Sequence, residues 1–372
     1  MAARTRNRRI RYAVVGLGHI AQAAVLPAFR HARRNSELVA LVSNDPVKLK
    51  ELASQYRIDH TFSYEQYDDC LRSAEVDAVY IALPNNMHAD YTIRAARAGV
   101  HVLCEKPMAV TEKQCQAMIQ AARKNRVKLM IAYRLHFEEA NMKAVEIVKS
   151  GKLGDPRIFD SVFSMQVKKG NIRTREELGG GTLYDIGIYC INAARYLLQD
   201  EPTEVFAYSA AGKNDPRFKE IDEMTSAVLR FPKDRLAAFT SSFGAADLAS
   251  YRIAGTKGDL RVEPAYEYAM ALGLQLTIDG KARSSKFRKR DQFAPELLYF
   301  SDCILKNREP EPSGEEGLAD VRVIRALYRS AATGRPVKVR RVAIKKRPTL
   351  DQEMRRPPVA KPRLIHAESA SS

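Results

Sequence analysis

The apolar run Tyr12-Ala13-Val14-Val15 breaks directly into Gly16-Leu17-Gly18-His19-Ile20-Ala21, and an amphipathic stretch follows from His19 to Arg33. No other feature of the chain constrains its fold as much. Gly16 permits a tight turn, Gly18 lets the backbone approach a pyrophosphate, and small Ala21 lets the helix pack closely on the strand. A short GxGxxA pattern alone is an ordinary glycine-rich turn. Between a buried strand and a helix it reads as a dinucleotide fingerprint, with His19 and Ile20 inside the turn.

Strand and helix patterns keep alternating after the fingerprint. Strand-like Glu37–Ser43 and Asp77–Leu83 follow, the latter ended by Pro84-Asn85-Asn86, then a helix over 89–98 that stops at Gly99. Strand 100–103, a helix opened by Thr111, strand 128–132 and a helix over 138–149 closed by Gly151 complete a doubly wound parallel sheet over 10–150, a Rossmann domain. Beyond Gly154-Asp155-Pro156 the pattern changes. Strand-like segments at 157–167, 203–211, 223–231, 235–243, 249–255 and 258–263 are joined by turn signals such as Phe231-Pro232-Lys233-Asp234, which predicts a mostly antiparallel open sheet. Helical patterns return at 294–306 and 314–333. The expected organisation is α/β plus α+β, as the length of 372 residues also suggests: a basic arm 1–9, the Rossmann domain 10–150, a substrate and oligomerisation domain 151–340, and a Pro-, Lys- and Arg-rich tail 341–372 without stable order.

The formal charge of +17 invites a nucleic-acid reading, and its distribution argues against one. Residues 1–11 hold five Arg and no acid, and residues 335–372 hold eleven Lys or Arg against Asp351, Glu353 and Glu368. The body between carries only about +4, so nucleic acid is not an expected partner. No apolar run reaches about 18 residues and the basic start leads straight into a strand, so no membrane association and a cytoplasmic location are expected. Cys70, Cys104, Cys115, Cys190 and Cys303 are scattered without CxxC spacing, which suits reduced, buried thiols and no metal site.

Cofactor choice should be legible after the second strand, in Ser43-Asn44-Asp45-Pro46-Val47-Lys48. Ser43, Asn44 and Lys48 suit a 2′-phosphate and favour NADP, while Asp45 leaves NAD as the alternative and Lys48 also reads as an exposed helix residue. Cys104-Glu105-Lys106-Pro107 follows a strand whose carboxyl end opens on the ligand crevice, where an ammonium polarises a substrate oxygen. Lys106 also reads as a surface lysine paired with Glu105. The flexible-looking Gly179-Gly180-Gly181 opens a helix with Thr182 as a possible cap; Asp185 and Tyr189, four apart, share one face. The plainer reading makes Asp185 a first-turn acid and Tyr189 a core residue.

Fingerprint, Leu83-Pro84-Asn85-Asn86-Met87-His88, Glu105-Lys106-Pro107, Ala132-Tyr133-Arg134 and the Gly179–Tyr189 segment occur in one order, and together they make the chain resemble the Gfo/Idh/MocA oxidoreductases over about residues 10–335. Most of that family carries His where Tyr189 stands, so the resemblance is to the branch of glucose-fructose oxidoreductase, NADP-dependent aldose dehydrogenases and dihydrodiol dehydrogenases. It implies hydride transfer to or from a sugar or related polyol or carbonyl, with Lys106, Asp185 and Tyr189 as the catalytic group. Tyr189 would move the proton, Lys106 would ease its release, and Asp185 would hold phenol and substrate in register. Leu83, Pro84, Asn85 and His88 are implied to line the cofactor, with Glu105, Lys106 and Arg134 near the nicotinamide end. Substrate choice would lie in loops 133–138 and 165–178, with Arg134, His136, Lys168, Lys169, Arg173 and Arg175 as candidates. Glucose-fructose oxidoreductase locks its NADP with a Pro-rich arm; here about ten residues precede the first strand, and an exchangeable cofactor is expected. A homodimer or homotetramer through the second sheet is implied. A dihydrodiol dehydrogenase, or a non-catalytic cofactor-binding sensor, is the alternative.

Overall fold

A computed structural model of the chain describes residues 8–371 other than Ala74 and Lys213; most of the basic arm, residues 1–7, lies outside the described residues. Strands β1 (Ile10–Val15), β2 (Ser36–Val42), β3 (His60–Phe62), β4 (Ala78–Ile81), β5 (His101–Glu105) and β6 (Leu129–Ala132) form one sheet in the order β3-β2-β1-β4-β5-β6, every pair parallel. Helices cover both faces, so β1 and β4 are almost wholly buried and read as unbroken apolar runs rather than alternating ones. The strand order reverses between β1 and β4, which opens a crevice at their carboxyl ends.

The second sheet holds β7 (Pro156–Ser164), β8 (Glu204–Ala210), β9 (Met224–Phe231), β10 (Arg235–Ser242), β11 (Leu248–Gly255), β12 (Gly258–Val262), β13 (Leu272–Ile278), β14 (Lys281–Phe287) and β15 (Val337–Lys338). Its order is β14-β13-β12-β11-β7-β10-β9-β8-β15, antiparallel except for the parallel pair β7 and β10. On its inner face Phe159, Phe239, Leu229 and Val205 are buried; on its outer face Ile158, Leu236, Val228 and Tyr208 are exposed.

The central helix Ile188–Leu198 buries Ile188, Ile191, Leu197 and Leu198, each contributing about 2 kcal/mol of apolar burial. Arg195 on this helix is fully buried among Glu201, Glu316 and Asp320, with Nε 2.7 Å from Glu201 Oε2 and Nη1 2.9 Å from Glu316 Oε1. His136, after β6, bridges Glu311 Oε1 and Asn192 Oδ1, each at 2.8 Å. This network fixes the helix that carries Tyr189 against both β6 and the helix Gly314–Thr333.

Four features differ from the sequence expectation. The edge strand β3 had no expected counterpart, because its three residues are largely exposed and form no apolar run. The helix Phe293–Leu305 packs on the first sheet rather than the second: Tyr12 Oη and Ser301 Oγ are 2.8 Å apart, and Asn35 Nδ2 donates to Leu298 O at 2.9 Å. The hairpin β13–β14 had no expected counterpart, because β14 exposes both faces and carries no apolar alternation. The tail expected to lack order instead runs extended over the body. Arg347 pairs with buried Glu201, and Gln352 Nε2 donates to Glu311 O at 3.0 Å. Ile365 and Ala370 are buried. Side-chain and backbone partners on the body hold this tail without helical or strand periodicity of its own.

Candidate active site

A cleft of about 760 Å³ runs from the glycine turn, past the ends of β1, β4 and β5, to the inner side of the second sheet. At its first end Gly16 has φ +90°, and a Cβ there would lie 2.5 Å from Ala82 O, so only glycine makes this turn beside β4. Gly18 has nothing within 4 Å of the corresponding position, which leaves its backbone open to a ligand. The amides after the turn lead into a π turn, Ala21–Val25, and then the helix Leu26–Ala32. An open glycine backbone at a helical N-terminus fits a pyrophosphate. The residues present therefore fit a dinucleotide.

Ser43 and Lys48 line the same cleft, and Asn44 does not. Asn44 is exposed and its Oδ1 accepts from Tyr64 N at 2.6 Å, bracing the loop bearing Tyr64, which lines the cleft. Asp45 caps the helix Pro46–Tyr56, its Oδ1 accepting from Val47 N and Lys48 N at 3.0 Å each.

Lys106 leaves the end of β5 with its Nζ 2.7 Å from Asp185 O and 3.4 Å from Asp185 Oδ1. The same ammonium stands 4.8 Å from the Tyr189 ring centroid. Lys106 is thus not a surface lysine held by Glu105. Glu105 is buried, accepts from Tyr80 Oη at 2.7 Å, and has its carboxyl pushed up by burial. Arg134, buried, lies over the other aromatic neighbours of the site, 5.0 Å from the Tyr189 ring centroid and 5.3 Å from that of Tyr268. It is clamped by Gln292 Oε1 and Tyr266 O.

Asp185 sits in a π turn, Leu183–Gly187, that feeds the helix Ile188–Leu198 bearing Tyr189. Burial pushes its carboxyl up, but Arg173 and then Lys106 outweigh that and hold it below the ordinary carboxylate range. Arg173 Nε is 2.6 Å from Asp185 Oδ2. Asp185 was expected to hold phenol and substrate in register; in the structure Oδ2 faces Arg173 and Oδ1 faces Lys106. Thr182 makes no capping bond, and its hydroxyl accepts from Ser241 Oγ at 3.2 Å. The triple-glycine turn is close-packed rather than loose: a Cβ on Gly180 would lie 2.4 Å from Arg173 O, so glycine here brings the Arg173 segment against the helix start.

His88 and Asn85 border the cleft while serving as struts. His88 is fully buried with its ring nitrogens 2.8 Å from Pro107 O and 2.9 Å from Leu83 O, which ties the turn after β4 to the Lys106 turn. Asn85 Nδ2 donates to Gly179 O at 2.8 Å, joining the two domains beside the site. Gly16, Gly18, His19, Ile20, Leu83, Pro84, Glu105 and Arg134 also border the cleft, as do Lys168, Lys169 and Arg173. His136 and Arg175 do not line it; His136 is locked in the buried network and Arg175 pairs with Glu177 and Glu220 on the surface. Sequence reasoning missed Tyr266, Tyr268 and Gln292, which support Arg134, and residues 368–371, which reach the cleft from the tail. The residues in Tyr266-Glu267-Tyr268 carry no motif that marks them. Among the described residues no helix is long and apolar enough to cross a membrane, no His, Cys, Asp and Glu cluster is placed to hold a metal, and all five cysteines are free and buried.

Comparison with known proteins agrees with this architecture. Residues 10–133 match the model of the oxidoreductase family with an NAD-binding Rossmann fold, and residues 141–261 match the Gfo/Idh/MocA C-terminal domain. The chain is 32% identical over 338 residues to the NADP(+)-dependent D-xylose 1-dehydrogenase of Haloarcula marismortui, covering 89% of this chain and 93% of that one. The solved structure of an aldose-aldose oxidoreductase from Caulobacter crescentus, complexed with glycerol, is 40% identical with a TM-score of 0.86 and covers 89% of this chain and all of that one. A 3-ketoreductase from Actinomadura kijaniata, solved with NADP and TDP-benzene, is 26% identical with a TM-score of 0.79, covering 87% of this chain and 98% of that one. The chain belongs to the Gfo/Idh/MocA family of NAD(P)-dependent oxidoreductases.

Proposed function

We propose that the protein is an NADP-dependent sugar oxidoreductase of the glucose-fructose oxidoreductase and aldose dehydrogenase branch, in which Tyr189 moves the proton. The observation that carries this reading is the convergence of Lys106 Nζ, from one domain, on Asp185 and the Tyr189 ring, from the other, inside the cleft that begins at the glycine turn. The similarity to an NADP-dependent xylose dehydrogenase and an aldose-aldose oxidoreductase supports the substrate class.

The nicotinamide, when bound, supplies or accepts the hydride. The protein's own part is to hold a hydroxyl or carbonyl oxygen beside Tyr189 and to move its proton. In reduction the Tyr189 phenol gives its proton to the oxygen as that oxygen becomes a hydroxyl. In oxidation the phenolate takes it back. The Lys106 ammonium and Arg134 guanidinium, at 4.8 and 5.0 Å from the ring centroid, attract the negative charge that the phenol oxygen carries during transfer. Ser43 and Lys48 are the groups we assign to the 2′-phosphate, since Asp45 is spent on capping a helix. We also assign self-association to the outer face of the second sheet, where Ile158, Leu236, Val228 and Tyr208 are exposed together.

The test is a screen of aldoses, polyols and dihydrodiols with NADP+, followed by absorbance of the reduced nicotinamide. Turnover confined to dihydrodiols would move the protein to that relative's chemistry. Bound NADPH with no turnover on any of the three classes would leave a cofactor-binding sensor instead.

A further inference from the structure

The end of the chain crosses the mouth of the cleft. Ile365 is held on both its backbone groups by Gln22, at the start of the helical segment after the glycine turn: Gln22 Nε2 donates to Ile365 O at 2.9 Å and Ile365 N donates to Gln22 Oε1 at 2.8 Å. The Ile365 side chain is buried in the first domain. His366 follows in a left-handed conformation, φ +46°, which a non-glycine residue keeps only where its surroundings hold it. Its Nδ1 lies 2.9 Å from Asp45 Oδ2. Farther along, Lys168 N donates to Ala370 O at 2.9 Å, and Ser371 pairs with Val167 as an antiparallel bridge on the second domain. Residues 368–371 line the cleft between these anchors. One anchor is on each wall, so the segment spans the cleft from one domain to the other.

We propose that residues 365–371 are a working part of the dinucleotide site, closing it after the cofactor is seated, and that His366 on Asp45 suits the end of β2 to a 2′-phosphate. The inference rests on the reading of the cleft as an NADP site. An acid at the end of the second strand ordinarily binds the adenosine hydroxyl and repels a phosphate. Here Asp45 Oδ1 accepts two backbone amides, and Oδ2 faces the His366 ring with Lys48 Nζ at 4.0 Å. A carboxylate can only accept, so Nδ1 carries the hydrogen between them. Whether the imidazole is neutral or charged, Oδ2 already accepts one hydrogen bond, which weakens its call on a ribose hydroxyl. The cofactor is then held more firmly than in an open cleft, rather than exchanging freely.

The experiment compares the full chain, a chain ending at Leu364 and full-length His366→Ala. It measures NADPH release by stopped-flow fluorescence with a competing nucleotide, the equilibrium affinities for NADPH and NADH, and the melting midpoint without cofactor. The shortened chain is expected to release NADPH at least about tenfold faster, and His366→Ala to lower the NADPH-to-NADH affinity ratio by about threefold to tenfold. If the shortened chain melts early, the ratio in His366→Ala still decides. Unchanged release and an unchanged ratio would overturn the proposal, as would tighter NADPH binding by the shortened chain, the behaviour of an obstructing plug. A full chain that binds neither nucleotide overturns the reading of the cleft itself, an outcome distinct from a tail that proves irrelevant to a bound cofactor.

Discussion

Arg173 Nε stands 2.6 Å from Asp185 Oδ2 while Lys106 reaches the same residue from the other domain, so the carboxylate is a hinge pin between two cations. Lys106 Nζ is held there by Asp185 O at 2.7 Å, and the carboxylate, at 3.4 Å, adds its charge to that hold. Because its pKa lies below the ordinary carboxylate value, that charge is in place above the unfolded-state value and is lost only as pH falls through the depressed folded value. Replacing Arg173 by Gln removes the stronger of the two attractions, so protonation of Asp185 sets in at higher pH. The acid limb of kcat/KM should move toward neutrality with the alkaline limb unmoved. Superimposable pH profiles for the two proteins would separate Asp185 from the chemistry.

Tyr189→Phe keeps the ring that Lys106 and Arg134 pack against and deletes only the hydroxyl. Turnover should fall by about 10²- to 10⁴-fold, the range for loss of a general acid–base group, with NADPH affinity nearly unchanged. Lys106→Met should lower turnover and weaken nucleotide binding together, because Lys106 borders the cofactor cleft as well. Equal turnover in Tyr189→Phe and the parent would remove the phenol from the mechanism.

Arg195 pairs with three buried acids, Glu201, Glu316 and Asp320. Burial already pushes the Asp320 carboxyl up to about 6, so this group tolerates little loss of positive charge. Arg195→Met should destabilise the fold by about 3–5 kcal/mol, the usual cost of removing one partner from a buried ion pair. Denaturant unfolding measures it. A loss under about 1 kcal/mol would mean that Arg347, which also reaches Glu201, carries the compensation.

Most of the first sheet was legible because its steps are written locally, in apolar runs, Thr111 as a cap and glycines at positive φ, whereas the edge strand His60–Phe62 and the helix Tyr67–Arg72 were not anticipated. The motifs beside Lys106 and Tyr189 left a surface lysine and a core tyrosine open as readings, and the family resemblance is what set the two residues together. What the sequence hid is long-range. Arg173 is one cation among several in its loop until the fold presses it on Asp185, and the support of Arg134 by Gln292 and Tyr266 spans more than 130 residues. The β13–β14 hairpin had only its Asp279-Gly280 turn to announce it, since its edge strand has no apolar face. The tail is hidden most completely, because its order comes from partners such as Gln22 and Val167 on the body rather than from any periodicity of its own.

Register in the second sheet sets its exposed apolar residues side by side: Leu236 opposes Ile158, and Val228 opposes Ala238 and Phe206 across β9. Tyr208 is 70% exposed and Leu236 47%, on strands whose inner residues are buried. We propose that these exposed apolar residues belong to an association surface, for which a nine-stranded sheet offers the area that a stable pair requires. The double variant Leu236→Asp, Tyr208→Asp should therefore lower the sedimenting mass toward that of one chain. It should leave NADPH binding intact, because both residues point away from the cleft. A parent chain that already sediments as a monomer at about 50 μM, some fiftyfold above a micromolar Kd, would end the assignment of this face to self-association.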